Sequence, residues 1–131
     1  MVSRDKQVLV VEDDLDHREL ATLMFEMWGW QVTTAATAAE GLRQAAGGRF
    51  DLLLLDEGLP DGSGIDLARQ IRVFDQRTPI IFFTASAFPQ DKERALAAGA
   101  QAYITKPFDY DEIRLTVEHL LSGVISSLFD H

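Results

Sequence analysis

Three carboxylates, a threonine and a lysine in this sequence are spaced so that a single chemistry can use them all. Glu12 and Asp13 close the apolar run Val8-Leu9-Val10-Val11, and Asp56 closes Leu52-Leu53-Leu54-Leu55. Thr84 ends Pro79-Ile80-Ile81-Phe82-Phe83, and Lys106 stands just beyond Ala102-Tyr103-Ile104. Carboxylates gathered within a few ångströms repel one another and must take up protons or a cation. Oxygen ligands without imidazole or thiolate suit Mg²⁺ or Mn²⁺. With a cation beside it, a carboxylate such as Asp56 is a nucleophile toward a phosphoryl group. The cation neutralises charge on the phosphoryl oxygens. Lys106 offers a compact positive charge to another oxygen, and the Thr84 hydroxyl offers a hydrogen bond. These are the parts of phosphoryl transfer to a carboxylate, in which positioning and charge stabilisation do most of the work.

The elements that must position these residues are readable as alternating strands and helices. Val8–Val11 is short, apolar and rich in β-branched residues, as suits a strand buried on both faces. The apolar residues Leu20, Leu23, Met24, Met27 and Trp28 recur at helical spacing from Leu15 to Trp28, and Gly29 is a natural stop. Trp30 to Thr34 reads as a second strand, and Ala38 to Ala46 as an alanine-rich helix ended by Gly47-Gly48. Phe50 to Leu55 is the third strand. A loop with Gly58, Pro60, Asp61, Gly62 and Gly64 follows, then a helix from Ile65 to about Phe74. Pro79–Phe83, a helix over Asp91–Ala98, the strand Ala102–Ile104 and a helix from about Tyr110 to Leu121 complete the series. Five alternations predict an α/β fold with a parallel sheet, right-handed crossovers and helices on both faces. Ligands of such sheets bind at the C-terminal strand edge. Glu12, Asp13, Asp56, Thr84 and Lys106 all fall on that edge.

Length and composition bound the answer. At 131 residues, 47% hydrophobic and 25% charged, the chain suits one globular domain. A net charge of −9 argues against nucleic acid or an anionic membrane as a direct partner. No cysteine is present, so disulfides and thiolate metal sites are excluded. The polar start Met1-Val2-Ser3-Arg4-Asp5-Lys6-Gln7 is unlike a signal region, and no apolar run is long enough to span a bilayer. The expected location is cytoplasmic.

The sequence resembles the receiver domains of two-component response regulators from about Val8 to Leu121. The resemblance is carried by Val10-Val11-Glu12-Asp13-Asp14, Leu55-Asp56 with Leu59-Pro60 and Gly64, Phe83-Thr84-Ala85, and Tyr103 with Thr105-Lys106-Pro107-Phe108. It implies a flavodoxin-like (βα)5 fold with strand order 2-1-3-4-5. The receiver would occupy residues 1–122, with its core over about 7–122, and residues 123–131 would be a helical extension or tail. Asp56 would be the phosphorylation site. Asp13, Asp56 and the backbone carbonyl of Gly58 would ligate Mg²⁺, with Glu12 acting through water. Thr84 and Tyr103 would form a switch pair, and Lys106 would pair with phosphate and carboxylate. Side chains at Gly58 and Ser86 would bear on phosphate lifetime, and small Ala85 would leave room for the donor. The Lys106–Pro107 bond is expected to be cis. The implied partner is a sensor histidine kinase or histidine phosphotransfer protein. A homodimer would use the fourth helix, fifth strand and fifth helix, or the C-terminal stripe. Such a module is a signalling switch and not an enzyme.

Simpler readings stand beside these. Asp14 is expected to cap the first helix and not to bind metal. Glu57 is charged where the family more often has an apolar residue. His17, His119 and His131 lack metal-ligand spacing, and His17 is expected to be exposed. Packing accounts for Trp28 and Trp30, and Tyr103 alone suits a core position. Val117, Leu120, Leu121, Val124, Ile125, Leu128 and Phe129 hold helical spacing past the usual receiver end, interrupted by Gly123. A phosphohydrolase with an aspartyl nucleophile is the enzymatic rival, but its second acid would stand at Gly58. The other rival is a docking domain that keeps the shape without the chemistry.

Overall fold

The computed structural model describes residues 6–86, 88–107 and 109–122. In chain order they form β1 (Gln7–Val11), α1 (Leu15–Met27), β2 (Gln31–Ala35), α2 (Ala38–Gly47), β3 (Leu52–Leu55), α3 (Gly64–Phe74), β4 (Ile80–Thr84), α4 (Pro89–Ala97), β5 (Ala102–Thr105) and α5 (Tyr110–Ser122). The five strands pair in parallel in the order β2-β1-β3-β4-β5, so the expected flavodoxin-like topology is the observed one. The extension beyond Ser122, with Val124, Ile125, Leu128 and Phe129, lies outside the described residues.

Alternation along each strand divides the core in two. Leu9, Val11, Leu53, Leu55, Ile80 and Phe82 face one side with Ile65, Ala68 and Ile71 of α3. Val8, Val10, Leu52, Leu54, Ile81 and Phe83 face the other with Phe25 of α1 and Ile113 and Val117 of α5. Successive strand side chains point to opposite faces, and both faces are covered, so the strands are apolar throughout.

Some boundaries and faces differ from expectation. In the β3–α3 loop, Gly58–Leu59 and Gly62–Ser63 pair as a two-residue antiparallel ribbon, a local turn geometry with no apolar periodicity to announce it. On α1 the buried residues are Ala21, Met24 and Phe25, whereas Leu20, Leu23 and Met27 are exposed. The helix carries apolar residues around more of its circumference than one sheet can cover. Trp28 and Trp30 pack as expected. Phe25 lies edge-on to both at 5.0 and 5.3 Å, and the Trp28 indole donates to the Tyr110 hydroxyl at 2.5 Å, joining α1 to α5. Between the two tryptophans Gly29 holds φ of 85°, a left-handed turn that favours glycine. Among the described residues no helix is long and apolar enough to cross a membrane.

Candidate functional site

Sheet register brings the strand-terminal residues together. Val11 pairs with Leu55, Leu55 with Phe82, and Thr84 with Thr105, so Glu12, Asp56, Thr84 and Lys106 emerge along one edge. The ladder continues into the site: Asp56 N–H donates to the Val11 carbonyl at 2.9 Å and Lys106 N–H to the Thr84 carbonyl at 2.7 Å. The Lys106–Pro107 peptide bond is cis.

The Lys106 ammonium sits among the acids. Its Nζ donates to Glu12 Oε1 at 2.5 Å and to Asp56 Oδ2 at 3.1 Å, and lies 3.1 Å from His17 Nδ1. Glu12, Asp56 and Thr84 are buried polar residues, while Asp13 is exposed. Glu12, Asp13 and Asp56 each offer a carboxylate oxygen, and these atoms lie within 4.8 Å of one another. Burial is the largest influence raising the Glu12 carboxyl above its ordinary pKa, and Asp56 adds to it against the opposing Lys106. Burial also disfavours the Lys106 charge, yet the hydrogen bonds to Glu12 and Asp56 outweigh it and hold the ammonium above its usual range. One ammonium cannot neutralise three carboxylates. The set is therefore short of positive charge, and its hard oxygen donors fit a divalent cation such as Mg²⁺.

Supporting contacts fix the acids in place. Asp14 accepts from the His17 backbone N–H at 2.9 Å and so caps α1, as its position suggests. Its own N–H donates to Glu12 Oε2 at 3.1 Å, and Arg18 Nη1 donates to the carbonyls of Glu12 and Asp13. The Gly58 N–H points at Asp56 Oδ1 at 3.4 Å, and nothing stands within 4 Å of where a Gly58 side chain would begin. Ala85 is exposed, and the Ser86 hydroxyl is bonded to the Asp91 carboxylate. The Tyr103 hydroxyl lies 2.9 Å from the Ser86 carbonyl and 3.0 Å from Glu57 Oε2, and burial helps push its pKa up to about 12. Its single proton serves one acceptor at a time. Burial likewise raises the Glu57 carboxyl.

Two residues outside the predicted set enter this region. His17, expected to be exposed, keeps a side chain 44% open to solvent, yet the first turn of α1 brings its Nδ1 to 3.1 Å from Lys106 Nζ. Glu57 turns toward Tyr103 and not into the core. His17 stands four positions after Asp13, which places it on the first turn above the acids; that spacing is the signal available in the sequence.

A family model described as the response regulator receiver domain matches residues 8–118. The chain belongs to the response regulator receiver family. Receivers of this family are phosphoacceptor signalling switches of two-component systems. The receiver resembles an uncharacterized transcriptional regulatory protein of Bacillus subtilis, YkoG, at 40% identity over 106 residues, 81% of this chain and 46% of that protein. It spans less than half the length of the curated relatives it matches. Among solved structures it superimposes on a CheY-like receiver domain protein of Methanospirillum hungatei with a TM-score of 0.88 at 31% identity, covering 92% of this chain and 96% of that one. It also matches the response regulator TrrA of Thermotoga maritima in complex with Mg²⁺ and BeF, with a TM-score of 0.81 at 33% identity over 88% of this chain and 99% of that one.

Proposed function

We propose that Asp56 takes a phosphoryl group from a phosphohistidine of a sensor histidine kinase or histidine phosphotransfer protein. The supporting observation is the convergence of Glu12, Asp13, Asp56 and Lys106 within hydrogen-bonding and ligand distance at the sheet edge. An Asp56 carboxylate oxygen forms the new P–O bond as the donor's P–N bond breaks. The bonding pair leaves on the imidazole nitrogen, which takes a proton. Asp13, Asp56 and the Gly58 carbonyl would hold Mg²⁺, or Mn²⁺, with Glu12 reaching it through water, and the bound cation supplies charge neutralisation at the phosphoryl oxygens. Lys106 turns one N–H from Asp56 Oδ2 to a phosphoryl oxygen, and the Thr84 hydroxyl donates to another. The Mg²⁺–BeF complex of the Thermotoga maritima regulator supports this reading by likeness.

The output follows from the groups nearest Asp56. Thr84 moves inward on phosphorylation and Tyr103 gives up its present hydroxyl contacts, which biases the face built by α4, β5 and α5. That face includes the exposed Leu96 of α4 and is the surface proposed for a partner or a second copy. The receiver unit ends near residue 122. The open space at Gly58 lets water approach the acyl phosphate, whereas the tied Ser86 hydroxyl is turned to Asp91.

The experiment is incubation with a small phosphodonor, followed by intact mass. One phosphoryl group per chain is expected with Mg²⁺, and none after chelation with EDTA. Multiple turnover of a phosphate ester would favour a hydrolase instead. Lys106→Met is expected to slow phosphorylation by about a hundredfold, the usual scale for losing one preorganised donor to developing negative charge. A time course of incorporation at saturating Mg²⁺ checks it.

A further inference from the structure

We propose that His17 is a positioning residue for phosphoryl transfer, holding the Lys106 ammonium in place through its Nδ1 atom. The inference rests on the phosphoacceptor reading of Asp56 and adds a residue that lies outside the motifs carrying the resemblance.

An ammonium has three N–H donors and no acceptor. Around Lys106 Nζ stand three acceptors, Glu12 Oε1 at 2.5 Å, Asp56 Oδ2 at 3.1 Å and His17 Nδ1 at 3.1 Å. The lysine side chain is only 11% exposed, so water is a scarce substitute for any of them. Lysine is a point charge on a flexible four-carbon stem, and its direction is set by what its donors meet. Two acceptors leave the nitrogen free to swing about the line joining them; a third fixes it. To accept, Nδ1 must be the bare ring nitrogen, with the proton on Nε2.

His17 is itself held. Its backbone N–H donates to Asp14 Oδ2 at 2.9 Å in the first turn of α1, which sets where the ring leaves the helix. Nδ1 lies 3.5 Å from Asp14 Oδ2 and 3.8 Å from Glu12 Oε1, so this edge of the ring stands against the acids while 44% of the side chain stays open to solvent. The three acceptors also differ in their other duties. Asp56 would receive the phosphoryl group, and Glu12 would also face the cation through water. His17 has neither duty, so it can keep its hold on the ammonium while Lys106 swings a donor from carboxylate to phosphoryl oxygen.

The test is phosphorylation of the chain by acetyl phosphate with Mg²⁺, comparing wild type with His17→Ala and His17→Asn. His17→Ala is expected to lower the second-order rate constant of phosphorylation about fivefold, the scale of one hydrogen bond to a charged group where water entering the space left by the ring replaces part of it. His17→Asn places an amide oxygen near the Nδ1 position and is expected to restore most of the rate. The ¹⁵N spectrum of the His17 ring is expected to show a bare Nδ1 whose resonance moves in Lys106→Met, a signature that a packing role would not produce. A wild-type rate in His17→Ala, no rescue by asparagine, or a protonated Nδ1 overturns the inference while leaving Asp56 as the acceptor. A wild-type chain that takes no phosphoryl group overturns the Asp56 reading and this inference with it.

Discussion

Asp56→Asn is expected to reduce phosphoryl incorporation to background while leaving the fold intact. The amide has no charged oxygen to attack phosphorus, and no other described carboxylate shares Lys106 with Glu12. Asp13 is exposed at the rim, so it does not inherit the position. Stability moves the other way from activity. Asp56 is one of the influences that raise the Glu12 carboxyl, so removing its charge relieves repulsion among the acids. Lys106 keeps Glu12 and His17 as acceptors in the variant. Intact mass after treatment with a phosphodonor, together with a urea unfolding midpoint no lower than wild type without Mg²⁺, checks both parts.

Gly64→Ala is expected to destabilise the protein by about 3 kcal/mol, at the upper end for forcing an extra carbon into a filled space. A Cβ built on Gly64 would stand 2.0 Å from the Asp56 carbonyl oxygen, 2.9 Å from its carbonyl carbon and 3.0 Å from Glu57 Cα. All three neighbours are backbone, so no side chain can swing aside. Gly64 N–H also donates to the Glu57 carbonyl at 2.8 Å, which ties the start of α3 to the chain just after Asp56. Relief of the clash must therefore move Asp56, and phosphorylation is expected to fall together with the unfolding midpoint. A wild-type midpoint would show that the loop has room to give. At Gly58, where nothing lies within 4 Å of a built Cβ, the same substitution meets no such barrier.

The fold was legible because its strands are unusually plain. Leu52 to Leu55 and Ile80 to Phe83 are apolar without interruption, and each stops at the polar residue that enters the site. Parallel strands buried on both faces require such runs, so pattern and topology agree. The acids and Lys106 were legible for the same reason, as strand ends share one edge. The fine arrangement was not. Leu20, Leu23 and Met27 have helical spacing but face outward, since periodicity marks a stripe without saying which stripe the sheet covers. Asp61 reads as a turn residue, yet its carboxylate accepts from the N–H groups of Ala38 and Ala39 at 2.7 and 2.9 Å, capping α2 from a distant loop. The place of His17 depends on how the first turn of α1 leans over Lys106, a tertiary relation that residue spacing suggests only weakly. Glu57 was ambiguous because its partner, the Tyr103 hydroxyl, comes from 46 residues further along the chain.

The central claim is that the carboxylate of Asp56 is the atom group that receives phosphorus. Borohydride reduces an acyl phosphate on aspartate to homoserine, which peptide mass spectrometry locates to a single residue. After acetyl phosphate and Mg²⁺, homoserine is predicted at position 56 in the wild-type chain and at no other position. Homoserine at position 13 or 14, 5-hydroxynorvaline (the product from a glutamyl phosphate) at position 12, or a phosphoryl group that survives borohydride because it sits on a hydroxyl or imidazole, would contradict the account.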